Sequence, residues 1–225
     1  IVLPDADVDA VAKAVLPMAL MVNGQACIAQ TRVLVPRHLH GALVDALADL
    51  MGCEVVGDPL DPATTIGPMV SERQRDRVAG YVETGRAEGA RVIVPGTGAS
   101  ALTAGLAGGW FVPPTLLDNV TNGMRVAQEE IFGPVIAVIA YDGDDEAVAI
   151  ANDSVYGLSG SVWSPDTDHA LAVARRIRTG MVSLNGRPQS YGSPFGGFKQ
   201  SGLGREMGPE GLRAFLETKS IAVGG

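Results

Sequence analysis

A three-layer α/β/α fold built on a mostly parallel sheet is what this sequence predicts, on three observations. Segments with strand composition alternate with segments of helical periodicity along most of the chain, the pattern of parallel strands joined by crossover helices. The stretch Val135-Ile136-Ala137-Val138-Ile139-Ala140-Tyr141 is apolar without alternation, as in a strand covered on both faces. At 225 residues and 46% hydrophobic, the chain is large enough to bury a core of this kind.

The elements follow in order. Residues 1–3 read as the end of a core strand, and with no Met at position 1 the sequence is expected to begin inside a larger protein. Asp5, Asp7 and Asp9 supply capping and first-turn carboxylates for a helix reaching about residue 22, with a break near Pro17. Asn23-Gly24 ends it with turn chemistry. A β-branched strand is expected over 31–35, stopped by Pro36, and a helix over 40–51, where Leu43, Leu47 and Leu50 recur at helical spacing. After a turn-rich loop at 57–62, residues 71–88 predict an amphipathic helix capped by Ser71. A short strand is expected at 91–94, then a mobile loop at 95–109. Residues 111–117 should be extended, with Pro113-Pro114 excluding a regular central strand. Strands at 135–141, 158–163 and 181–184 alternate with helices at 144–152 and 166–178. A glycine-rich segment at 186–204, a helix at 209–217 and a last strand at 219–223 complete the reading.

Composition excludes several classes. A net charge of −8 disfavours nonspecific contact with nucleic acid or an anionic membrane surface. The longest apolar candidate, 11–22, is interrupted by Lys13 and Pro17, so no membrane span is expected. The two cysteines, Cys27 and Cys53, show no zinc spacing, and free thiols suit a cytoplasmic protein without a metal site.

Three stretches carry the candidate chemistry. Cys27 follows a flexible Asn23-Gly24 turn and has the small neighbours Ala26 and Ala29, which leave room for a ligand and for backbone N–H groups beside the sulfur. The structural alternative is an inert buried thiol, the commoner fate of a lone cysteine and the one expected of Cys53. Glu129-Glu130 stands beside Phe132, just ahead of the apolar strand. Those carboxylates are either a solvated helix end or acceptors for ribose hydroxyls, with Phe132 packing on an aromatic ring. The third stretch runs Pro194-Phe195-Gly196-Gly197-Phe198-Lys199-Gln200-Ser201-Gly202-Leu203-Gly204-Arg205-Glu206; it is neither a dinucleotide fingerprint nor a Walker loop.

Taken in this order, the three stretches resemble motifs of the aldehyde dehydrogenase superfamily, and the resemblance covers essentially the whole chain. Residues 20–29 resemble the active-site cysteine signature, Glu129 to Val135 the cofactor-contacting segment and Pro194 to Glu206 the C-terminal loop; Gly67-Pro68-Met69 and Tyr156-Gly157-Leu158 also fall in register. The resemblance implies NAD- or NADP-dependent oxidation of an aldehyde to a carboxylic acid through a thiohemiacetal and a thioester on Cys27. It implies that Glu130 holds the nicotinamide ribose, that Phe132 lies beside the ring, and that Phe195, Ala26 and Ile28 line the substrate pocket. It also implies a homodimer or homotetramer, with residues 219–223 in the oligomerisation region. The family's general-base glutamate, its oxyanion-hole asparagine and its dinucleotide-binding domain lie upstream of the matching span, so residues 1–225 are expected to form a catalytic domain that is inactive by itself.

Two other classes remain open. A cysteine-dependent hydrolase or thioesterase would need a base near Cys27, and the histidines are His38, His40 and His169. A non-catalytic structural or interaction domain would use neither motif. Arg32, Arg178 and Arg205 read as structural ion pairs or solvated charge, and Lys199 as a loop-positioning residue.

Overall fold

The computed structural model describes residues 1–94, 106 and 108–225. Most of the loop expected at 95–109 therefore lies outside the described residues. Helix α1, Val8–Leu20, starts at Asp7, whose carboxylate accepts the Ala10 N–H at 3.0 Å. It runs through Pro17 instead of breaking there. Pro17 is exposed, so the carbonyl it deprives of a partner faces water. The α-helix stops at Leu20 and gives way to a 3₁₀ turn, Met21–Gly24, in which Val22, Asn23 and Gly24 are left-handed.

Strand β1 is Arg32–Pro36 and helix α2 is His40–Met51. Helix α3, Glu72–Ala87, is capped by Ser71, whose hydroxyl accepts the Gln74 N–H at 3.2 Å. Strands β2, Arg91–Ile93, and β3, Thr115–Asp118, precede a single turn of helix, α4, Arg125–Gln128. Then come β4, Val135–Tyr141; α5, Asp144–Asn152; β5, Ser159–Val162; α6, Thr167–Ala174; β6, Met181–Leu184; and α7, Gly208–Arg213.

Strands β1, β4, β3 and β2 form one sheet in that spatial order, parallel except for β2, which is antiparallel to β3. Strands β5 and β6 pair in parallel as a second sheet. Residues 1–3 lie between the two. The Val2 N–H donates to the Leu34 carbonyl at 2.8 Å, the Leu3 N–H to that of Trp163 and the Trp163 N–H to that of Ile1, both at 2.9 Å. The expected end of a core strand is thus the seam that makes one continuous layer.

The two faces of that layer show why the strands are apolar without alternation. Val33, Val35, Leu116, Ile136 and Val138 pack under α1 and α2. Leu34, Leu117, Val135, Ala137, Ile139 and Tyr141 pack on the opposite side, with Val78 and Tyr81 of α3. Both faces are covered, which gives the three-layer arrangement.

Four expectations are corrected. Pro113-Pro114 does not keep a strand from the sheet interior: β3 begins at the next residue and lies between β4 and β2, because its first N–H, on Thr115, is free to donate to Pro134. Two helices stop early: α6 at Ala174, short of the expected 178, and α7 at Arg213, short of the expected 217. Residues 219–223 form no strand: among the described residues none pairs with them, and Ile221 and Val223 are exposed. No helix is long and apolar enough to cross a membrane among the described residues.

Candidate active site

The left-handed turn at the end of α1 delivers Cys27 to the surface of the sheet layer. The turn is held by side-chain amides. Asn23 donates to the Pro68 carbonyl at 3.0 Å and accepts the Gly67 N–H at 3.1 Å. Gln25 accepts the Val70 N–H at 3.0 Å. The segment 67–70 therefore clamps the chain immediately before the cysteine, and Gly67-Pro68-Met69 acquires a physical role. Residues 26–29 form a second turn, closed by the Ala29 N–H on Ala26 at 3.0 Å. Among the described residues the Cys27 and Ile28 N–H groups donate to nothing, so they are available to an oxygen beside the sulfur. Cys27 is exposed and unpaired.

The cofactor-like segment arrives from the other side. After α4 the chain is extended at Glu129 and turns sharply at Phe132, where φ is +60°. The Gln74 amide holds this bend by donating to the carbonyls of Ile131 at 3.1 Å and Phe132 at 2.8 Å. Glu129 is fully engaged. It accepts the Tyr81 hydroxyl at 2.6 Å and both arms of Arg125 at 2.9 Å. Hydrogen bonds from Arg125 and then Tyr81 push its carboxyl down to about 2. The Glu130 carboxylate, by contrast, has no hydrogen bond or ion pair among the described residues.

These segments meet. A cavity of about 440 Å³ is lined by Ala26 and Cys27 on one side and by Glu130 and Phe132 on the other, with Trp163 and Tyr156 also in its wall. Glu130 and Phe132 also border a second cavity of about 520 Å³ with Arg73, Gln74 and Arg77. Ile28 and Phe195 line neither. Phe195 is half-buried and pairs backbone to backbone with Glu206 at 2.7 Å in both directions.

The histidines are elsewhere. His40 is 2.9 Å from the buried Asp118, which also binds Arg91 at 2.8 Å, and His169 binds Asp144 at 2.6 Å. None of the three lines the cavity of Cys27, so no histidine of this chain faces the thiol there. Arg32 is spent on the Ile150 carbonyl at 2.8 Å and on Asn122. Lys199 binds the carbonyls of Asn152 and Ser154 at 2.8 and 2.9 Å, and Arg205 those of Gly197 and Gly204 at 2.9 and 2.7 Å. Lys199 thus holds loop backbone, and Arg32 and Arg205 bind carbonyls where ion pairs or solvated charge were expected. Among the described residues no group of three or more His, Cys, Asp or Glu side chains could hold a metal ion.

The sequence reading missed Asn23 and Gln25 as anchors, and Gln74, Tyr81 and Arg125 as supports of the Glu130 segment. An amide four residues before a candidate nucleophile, within an Asn-Gly turn, was the available signal for Asn23. The others are brought in by tertiary packing.

The sequence profile of the aldehyde dehydrogenase family matches residues 1–221. The chain belongs to that family. It is 49% identical to the geranial dehydrogenase of Castellaniella defragrans over 221 residues, which cover 98% of this chain and 45% of the relative. Among solved structures, an aldehyde dehydrogenase of Mycobacterium tuberculosis complexed with NAD+ superposes with a TM-score of 0.92 at 46% identity, covering 99% of this chain and 45% of that one. A variant of aldehyde dehydrogenase C from Pseudomonas syringae, in complex with NAD+ and octanal, gives 0.91 at 43% identity, with 98% and 45% covered. The chain thus spans a little under half the length of these relatives of the aldehyde dehydrogenase family.

Proposed function

We propose that this chain is the cysteine-bearing catalytic domain of an NAD- or NADP-dependent aldehyde dehydrogenase that oxidises an aldehyde to a carboxylic acid. The observation that carries the reading is the shared cavity: Cys27 and the uncommitted carboxylate of Glu130 face one space, with Phe132 beside them.

Each residue has a role in this reading. The Cys27 thiolate adds to the aldehyde carbon, and the alkoxide so formed lies against the Cys27 backbone N–H. The cofactor, when bound, supplies the acceptor for the hydride that leaves this carbon, and the carbon becomes a thioester of Cys27. Water then cleaves the thioester and returns the thiol. Glu130 accepts hydrogen bonds from the nicotinamide ribose hydroxyls, and Phe132 packs beside the ring. The unpaired carboxylate next to an aromatic face fits such a group. Ala26, Ile28 and Phe195 belong to the substrate wall, Ile28 and Phe195 from outside the cavity lined here. We place the protein in the cytoplasm, on its two unpaired thiols. Assembly as a homodimer or homotetramer is supported by the exposed apolar run of Leu212, Phe215, Leu216, Ile221 and Val223, the last two within a segment that would pair with a neighbouring subunit.

The reading is tested by NAD(P)H formation with a panel of aldehydes that includes geranial and octanal. The complete polypeptide that carries this chain should turn over, Cys27→Ala should abolish turnover, and residues 1–225 alone should be inactive. Retained turnover in Cys27→Ala overturns it.

A further inference from the structure

We propose that Glu129 is a positioning residue for Glu130: anchored to Tyr81 and Arg125, it turns the next carboxylate into the cavity of Cys27. The inference rests on the reading of Glu130 as the ribose contact.

Two adjacent carboxylates repel each other, and their composition alone does not separate their roles. The structure does. Both oxygens of Glu129 are used, one by the Tyr81 hydroxyl and Arg125 Nη2, the other by Arg125 Nε. The paired Arg125 bonds fix the carboxylate plane as well as its place. Tyr81, 8% exposed on α3, is a rigid post, with the Arg77 guanidinium 4.9 Å from its ring centre. Arg77 also donates to the Glu130 carbonyl, closing the circuit on the backbone of the residue to be placed.

Geometry does the rest. Glu129 is extended, with φ −108° and ψ 148°, and in extended backbone successive side chains point to opposite sides. Both glutamates border the cavity that Cys27 lines, and Glu130 also borders the space beside Arg73, Gln74 and Arg77 of α3; with the Glu129 carboxylate held by Tyr81 and Arg125, Glu130 carries the free carboxylate there. Ion pairing keeps Glu129 charged through the neutral range, so the anchor holds wherever the thiol can react.

The test uses the complete polypeptide that carries this chain, with Glu129→Gln, Tyr81→Phe and Glu130→Gln compared for cofactor KM, kcat and Tm. Glu129→Gln and Tyr81→Phe should each raise the cofactor KM about three- to tenfold, the equivalent of one hydrogen bond. Aldehyde KM should stay near its original value, and Glu129→Asp, which keeps the charge, should recover part of the loss. A lowered Tm with unchanged cofactor KM in Tyr81→Phe overturns the proposal, and that variant remains readable if Glu129→Gln fails to fold. If Glu130→Gln raises the cofactor KM while the other two leave it alone, positioning is wrong and the ribose reading stands. If Glu130→Gln itself leaves it alone, the ribose reading falls and takes the proposal with it.

Discussion

Gly24 and Gly133 meet backbone to backbone: a Cβ built on Gly24, where φ is +72°, would overlap the Gly133 carbonyl and stand 2.9 Å from the Pro134 nitrogen. The turn that presents Cys27 thus rests directly on the turn that presents Phe132. Gly133 in turn lies against Val78 of α3, whose Cγ1 would be 2.8 Å from a Cβ at position 133. The Cys27 turn, the Phe132 turn and α3 are stacked with no side chain between the first two.

This stack can be tested by exchange of volume. Gly133→Ala should destabilise the fold by about 1–3 kcal/mol through overpacking against Val78. Val78→Ala vacates that space, so the double variant should recover part of the loss, a coupling of about 0.5–3 kcal/mol. Gly24→Ala meets backbone instead and should find no such rescue. Urea denaturation of the four chains measures the cycle, and strictly additive losses would contradict the packing described.

Asn23 combines a left-handed backbone with two hydrogen bonds to the 67–68 segment. Asn23→Gly keeps the backbone and removes the amide, so it isolates the clamp, while Asn23→Ala removes both. We expect Asn23→Gly to cost about 1–2 kcal/mol and Asn23→Ala more. Equal losses would mean that the side-chain bonds alone matter.

The two thiols differ in engagement although both are exposed. Cys53 Sγ lies 3.6 Å from the Asp49 carbonyl, at the carbonyl end of α2, whereas Cys27 is free of such a contact among the described residues. Iodoacetamide should therefore alkylate Cys27 several-fold faster than Cys53. Peptide mapping after brief exposure reads the order, and the reverse order would count against Cys27 as nucleophile.

His169 and Asp144 join α6 to α5. The hydrogen bond to Asp144 raises the His169 pKa above its ordinary value of about 6.5. A raised folded-state pKa means that the stabilisation is complete below the unfolded value and is lost as pH rises through the folded one. Stability should thus fall from mildly acid to mildly alkaline pH. The effect should stay below about 1 kcal/mol, because the side chains are 36% and 31% exposed and screened by solvent. Denaturation midpoints across this range should lose that component in His169→Gln.

What the sequence made legible follows from what is local. The helix at 40–51, the strands at 135–141 and 181–184 and the helix at 144–152 have the bounds their sequence pattern predicts, and at 135–141 packing on both faces leaves a strong apolar signature. Residues 219–223 have strand composition, but a strand also needs a partner, which composition does not reveal. At Thr115–Asp118 the proline constraint ends with Pro114, and the strand begins at the next residue. In the site, Cys27 and the Glu129-Glu130 pair stood out as residue types in an unusual setting. Composition does not separate those glutamates and only the resemblance singles out Glu130; the anchoring of Glu129 depends on Tyr81, 48 residues away in sequence.

The seam formed by residues 1–3 has a kinetic consequence. Ile1 bonds Ser161 across 160 residues, so the central layer closes only when residues 1–3 meet a strand made much later. Such non-local pairing gives a high contact order, and closing so long a loop costs entropy before any contact repays it. Refolding should be slow, with a late phase in which the environment of Trp163, beside the seam, changes. Until that step the inner edges of the two sheets stand open, and this is the interval in which the chain is most prone to aggregate.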